Sequence, residues 1–150
     1  MMRVRVQAER FVDSAPSRVY AVLADYREGH PRILPPEHFS GFAVEQGGVG
    51  AGTVVRFRFS AGGCTIPMRV LVSEPEPGRV LMERDLESGK VTRFFVEHAE
   101  VGRGSLVRIE SAWDRPGPFG FVERFLAPRI LRPVYEKELD RLASMTTASA

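Results

Sequence analysis

From His38 to Asp114 the chain is a succession of alternating apolar and polar runs separated by glycine-bearing turns. Alternation with a period of two is the mark of a half-buried strand. Phe39 to Glu45, Thr53 to Ser60, Cys64 to Ser73, Arg79 to Leu86, Val91 to Val101 and Ser105 to Asp114 each read this way. The connections Glu87–Gly89 and Gly102–Gly104 are hairpin-sized, so the strands they join must be antiparallel neighbours. A further strand, Arg3 to Val12, precedes them. One antiparallel sheet of about seven strands follows, with one apolar and one polar face.

The sheet needs a cover, and the chain supplies one long helical pattern, Gly120 to Leu142. Phe121, Phe125, Leu126, Ile130, Val134, Leu139 and Leu142 recur in it at helical spacing, and Phe121, Phe125, Leu126 and Ile130 are expected to look at the sheet. The same segment carries Pro128 and Pro133. Each removes a backbone hydrogen bond and crowds the preceding turn, at about 3 kcal/mol or more. A bend or break between Arg124 and Pro133 is therefore expected. The helix should start near Pro118 and end near Ser144, leaving Met145 to Ala150 as a frayed tail. Between the first strand and the sheet, Ser14 and Pro16 open a helix carrying Val19, Tyr20, Leu23 and Tyr26, and a second short helical piece runs to Leu34 before Pro35–Pro36.

The chain of 150 residues reads as a single domain, 1–150, long enough to bury a sizeable core. A net charge of +2, with basic residues spread along the chain, argues against a nucleic-acid partner. No apolar run can span a bilayer and the N-terminus is not a signal peptide, so a cytoplasmic location is the expectation. The single cysteine, Cys64, rules out an internal disulfide and a cysteine cluster. The glycine run Gly47–Gly52 is followed by a strand, not a helix, and so reads as a hairpin turn and not a phosphate loop. His30, His38 and His98 are too far apart for a local metal motif, and neither metal nor cofactor is expected.

Several stretches carry a resemblance: Ala15–Pro16–Ser17–Arg18–Val19–Tyr20 at the first helix, Asp25–Tyr26 with His30–Pro31 and Leu34–Pro35, the glycine turn through Thr53, and the closing Glu136–Leu142. With the element order, they resemble the helix-grip fold of the START/Bet v 1-like (SRPBCC) superfamily, and its polyketide cyclase/dehydrase-like branch in particular. That resemblance implies an α+β protein whose sheet wraps the C-terminal helix around a deep cavity, with two short helices after the first strand. It implies a hydrophobic or aromatic ligand, lipid- or polyketide-like, and a monomer or homodimer. An enzyme of cyclase, aromatase or dehydratase type using the same cavity is the alternative, and a partner-binding module without ligand is another.

Strand alternation places Phe57, Phe59, Met68, Phe94, Val96, Ser111 and Trp113 on the face toward the cavity, and the helix adds Phe121 and Phe125. His98 falls in register with Phe94 and Val96, where an imidazole could orient a ligand or move a proton. An inward Arg129 could hold a carboxylate or phenolate. For proton transfer His98, Arg129 and Tyr26 are the candidates, and no motif selects among them.

Overall fold

In a computed structural model, which describes residues 2–100 and 102–147, ten elements follow one another. They are β1 (Met2–Val12), α1 (Pro16–Ala24), α2 (His30–Ile33), β2 (Phe39–Gln46), β3 (Val54–Ala61), β4 (Cys64–Glu76), β5 (Val80–Asp85), β6 (Val91–His98), β7 (Ser105–Arg115) and α3 (Gly120–Thr147). The strands form one antiparallel sheet in the order β1-β7-β6-β5-β4-β3-β2. Every pairing but β1 with β7 joins strands consecutive in the chain, as short turns require. This is the helix-grip architecture that the alternation and the resemblance lead one to expect.

The pleat decides which residues face α3. Across the middle of the sheet, Leu81 lies opposite Phe94, and Phe94 opposite Ile109, which pairs with Ala8. All four are buried. The next inward row is Val72, Glu83, Thr92, Ser111 and Val6. Hydrophobic burial thus runs to either side of one polar stripe. On the outer face Arg108 lies over the Phe95 ring, 4.2 Å from its centroid.

The segment between α1 and α2 is held tightly. Gly29 sits so close to α1 that a side-chain carbon there would lie 2.4 Å from the Val22 carbonyl oxygen. The glycine turn between β2 and β3 backs the same segment: the Tyr26 amide donates to Gly48 O (2.8 Å) and the Gly50 amide to Ala24 O (2.9 Å). Four of that turn's glycines have positive φ, which side-chain-bearing residues rarely adopt. The turn is a buttress for Tyr26.

The long helix departs from expectation in three respects. It runs unbroken through Pro128 and Pro133 to Thr147, so there is no break, and Met145–Thr147 are helical. Residues 148–150 of the expected tail, and Val101 at the expected end of β6, lie outside the described residues. The inward stripe is also rotated: it is Ala127, Leu131, Val134, Tyr135, Glu138, Leu139 and Leu142, whereas Phe121, Phe125, Leu126 and Ile130 are exposed. The first turns of α3 border an open groove, and their apolar side chains are exposed. They are tied to the sheet through Glu123, which accepts from Trp113 Nε1 (3.0 Å) and pairs with the Arg115 guanidinium.

This register predicts unequal penalties. Leu139→Ala, in fully packed core, should cost about 2–5 kcal/mol. Phe121→Ala should stay within about 0.5 kcal/mol, because its ring is 72% exposed. Urea denaturation of the two variants measures both, and a full core penalty for Phe121 would contradict the observed rotation of α3.

Candidate functional site

Between the concave face of the sheet and the middle of α3 lies an inner cavity of about 60 Å3. One water needs roughly 10–15 Å3 on this measure, so the space is real but narrow. Beyond it, beside the N-terminal turns of α3, opens a groove of about 840 Å3. Phe59 and Lys90 line both, so the two spaces adjoin. The outer wall of the inner cavity is aromatic. Phe39 packs on Phe57 and Phe59 with ring centroids 5.6 and 5.1 Å apart, and Phe42 stacks on Phe57.

The opposite wall is polar. Glu83 reaches it because β5 alternates, putting Leu81 and Glu83 on one face. The Tyr26 hydroxyl donates to Glu83 Oε2 at 2.5 Å, and His30 Nε2 lies 3.3 Å from the same oxygen. His30 stacks on Tyr26 with centroids 4.4 Å apart and meets the Phe94 ring edge-on. Its other nitrogen, Nδ1, is 2.8 Å from Leu23 O. A carbonyl oxygen only accepts, so Nδ1 carries hydrogen, and Nε2 faces the carboxyl group. Burial, helped by the adjacent Glu83, raises the Tyr26 hydroxyl well above its usual value and keeps it a donor.

A second chain of hydroxyls runs beside the first. Ser111 Oγ lies 2.6 Å from both Thr92 Oγ1 and Tyr135 Oη, which links the sheet to α3. One turn further along α3, Glu138 is buried against the same cavity with no hydrogen-bond partner among the described residues. Desolvation, reinforced by Glu83 and opposed by Lys90, holds its carboxyl well above the ordinary carboxylate range. The Lys90 ammonium lies 4.7 Å from the centre of the Trp113 ring and 5.9 Å from that of Phe59. Among the described residues no set of histidine, cysteine and acidic side chains is grouped to hold a metal ion.

The residues expected at the cavity divide in two. Tyr26, Phe57, Phe59, Met68 and Phe94 line the inner cavity, and Trp113 lines the groove. Ser111 contributes through Tyr135. Val96 is packed in solid core opposite Val107, one row too far from the opening. His98 is exposed at the end of β6 and outside the cavity lining, although its cross-strand neighbour Ser105 is buried. Phe121, Phe125 and Arg129 are on the exposed side of α3, with the Arg129 guanidinium over the Phe125 ring at 4.5 Å. Sequence reasoning missed His30, Glu83, Lys90 and Glu138. Glu83 shares a face with Leu81, and Glu138 falls in the stripe of Leu131, Val134 and Leu142. A carboxyl in an apolar row was the available signal for each.

Comparison with known proteins agrees with the fold. The family model described as polyketide cyclase / dehydrase and lipid transport matches residues 3–145. The chain belongs to that family. Among solved structures, the KanY protein (ms6282) is 29% identical, with a TM-score of 0.83 over 98% of this chain and 99% of that one. TTHA0849 from Thermus thermophilus is 21% identical, with a TM-score of 0.76 over 97% and 99%. The ZhuI aromatase/cyclase from Streptomyces sp. R1128 is 16% identical, with a TM-score of 0.75 over 97% and 94%; at that identity the likeness is one of fold. No curated protein matches the chain in sequence. The family's helix-grip fold is compatible with hydrophobic ligand binding and with cyclase chemistry.

The buried Glu138 makes a signed prediction about pH. Its folded value is raised above the unfolded one, near 4.3, so its stabilisation is fully present below that range. It is lost as pH rises from there through the folded value. Glu138→Gln, neutral at every pH, should therefore match the parent near pH 4 and exceed it in Tm at pH 8. Thermal denaturation across that range reads the gap, and a variant less stable at pH 8 than at pH 4 relative to the parent would reverse the sign.

Proposed function

We propose that this family member binds a hydrophobic, aromatic or polyketide-like carbonyl compound in the cavity and catalyses proton transfer on it, in the manner of a cyclase or dehydratase. One observation carries the reading: Tyr26, His30, Glu83, Lys90, Tyr135 and Glu138 converge on a cavity whose other wall is aromatic. A carrier needs apolar burial alone, at about 25 cal/mol per Å2. Burying ionisable groups costs stability, and such groups cluster where protons are moved. The solid core expected of a module that binds only a protein partner is not what this fold builds. The family description and the aromatase/cyclase among the fold neighbours support the same direction.

The division of labour follows from the contacts. The ligand's apolar body enters from the groove and lies against Phe57, Phe59 and Trp113. Its carbonyl reaches the polar wall. The Glu83–His30 pair takes a proton from the carbon beside the carbonyl, and the electron pair left on carbon is delocalised onto the carbonyl oxygen. Neutral Glu138 and the Tyr135 hydroxyl donate hydrogen bonds to that oxygen as charge develops. The enolate so formed attacks a second carbonyl in the same folded chain, and the resulting alkoxide takes up the proton that the Glu83–His30 pair removed. For dehydration the pair takes the second proton from the same carbon, Glu138 protonates the hydroxyl, and the C–O bond breaks as the C=C bond closes, releasing water; the proton on the pair then restores neutral Glu138. A narrow cavity supplies the folding of the substrate that makes one ring closure faster than others.

The test uses 4-phenylbutan-2-one in D2O, with deuterium entry beside its carbonyl followed by NMR. The protein should accelerate exchange, and Glu83→Gln should lower that acceleration by about a hundredfold or more, the usual share of a general base. Quenching of Trp113, the chain's single tryptophan, reports binding separately. Binding without accelerated exchange would sink the catalytic reading and leave the protein a carrier.

A further inference from the structure

Of the 21 lysines and arginines in the chain, only Lys90 and Lys137 are lysines. Lys137 is exposed on α3, its Nζ 3.2 Å from His38 Nε2. Lys90 is the cation at the boundary between cavity and groove. Among the described residues its ammonium has no carboxylate or carbonyl within hydrogen-bond distance; it lies over the faces of Trp113 and Phe59. An arginine there would stay charged under any condition, whereas a desolvated primary amine can shed its proton and become a nucleophile. The strongest influence on Lys90 is desolvation, which lowers its proton affinity; Asp85, Glu138, Glu123 and Glu83 act in the opposite sense and do not reverse it. Glu138, without a hydrogen-bond partner among the described residues, faces the inner cavity that Lys90 also lines.

We propose that the Lys90 amine forms an imine with the carbonyl of the substrate, with Glu138 as the acid that completes it. The proposal rests on the proton-transfer reading above and narrows the substrate to an aldehyde or ketone attached to an apolar, aromatic body. The Nζ lone pair attacks the carbonyl carbon, the C=O π pair moves to oxygen, and a proton passes from nitrogen to that oxygen. Glu138 then protonates the hydroxyl, the C–O bond breaks and water leaves. The nitrogen lone pair closes the C=N bond, giving an iminium cation beside the new Glu138 carboxylate and over the Trp113 face. The proton on the neighbouring carbon is now more acidic, and the Glu83–His30 pair removes it to give an enamine, the nucleophile for carbon–carbon bond formation. Hydrolysis runs the first steps backwards and restores the amine. No outside oxidant or reductant enters.

The experiment is reductive trapping of the whole protein with 2-naphthaldehyde and sodium cyanoborohydride at pH 7, read by intact mass and peptide mapping. The expected result is a single adduct on Lys90, formed at least about tenfold faster than on Lys137, since only a deprotonated, desolvated amine attacks readily. The α-amino group, with an ordinary value of about 7.7–8.0, is scored on its own peptide. Glu138→Gln should slow Lys90 labelling by about tenfold or more. Lys90→Arg keeps the positive charge but cannot form an imine, so it should abolish exchange of 4-phenylbutan-2-one while retaining Trp113 quenching. Equal labelling of the two lysines, unchanged labelling in Glu138→Gln, or exchange surviving in Lys90→Arg would each overturn the imine step. Exchange by the parent without any Lys90 adduct would also overturn it while leaving the proton-transfer reading intact. Absence of both exchange and adduct would remove the two together.

Discussion

A carboxyl on the concave face of a sheet has to be paired, and the site is organised around that requirement. Glu83 sits in the inward row between Val72 and Thr92. Left alone in that apolar setting it would carry the cost of an unpaired buried group. Tyr26 and His30 meet it, and both come from the short segment between α1 and α2. Their placement depends in turn on Gly29, which lets the chain pass against Val22, and on the glycine turn that braces Tyr26 from behind. Features remote from one another in the chain therefore serve a single proton-holding corner.

The long helix divides into two functions. From Ala127 onward it is a seal, with Leu131, Val134, Leu139 and Leu142 closing the core and Tyr135 and Glu138 presented to the cavity. Before Ala127 it is an edge of the groove, anchored by Glu123 to the end of β7. Pro128 and Pro133 fall near and after this change of role. Their missing amide donors leave the carbonyls of Arg124 and Arg129 without the usual helical partner, and both residues are on exposed turns where water can serve instead. That is why two prolines are tolerated in one continuous helix: the carbonyls they deprive of a partner belong to exposed residues.

How much of this was legible in the sequence differs by element. Strand faces were readable because the pleat has a period of two: Phe57, Phe59, Met68 and Phe94 went to the cavity wall as alternation requires. Alternation cannot say where the cavity ends, so it assigns to the cavity wall Val96, which is packed in core, and His98, which is exposed; both share a face with Phe94. The helix face was misread at its start because Phe121, Val122, Phe125 and Leu126 are apolar on more than one side, and periodicity alone does not choose between stripes. The stripe that was chosen by the fold contains Ala127 and Glu138, which a hydrophobicity pattern undervalues.

The sequence by itself determined the antiparallel sheet, the hairpin pairing of its later strands, the closing helix and the kinship with the cyclase and lipid-transport family. Those follow from local quantities: alternation, turn length, helical spacing and short motifs. Only the tertiary structure decided that Tyr26, His30, Glu83, Lys90, Tyr135 and Glu138 share one cavity. They come from four separate parts of the chain, and no spacing rule relates them. Their proximity is set by sheet register and by the rotation of α3 about its axis, both of which are fixed by packing over the whole core and not by any stretch read alone.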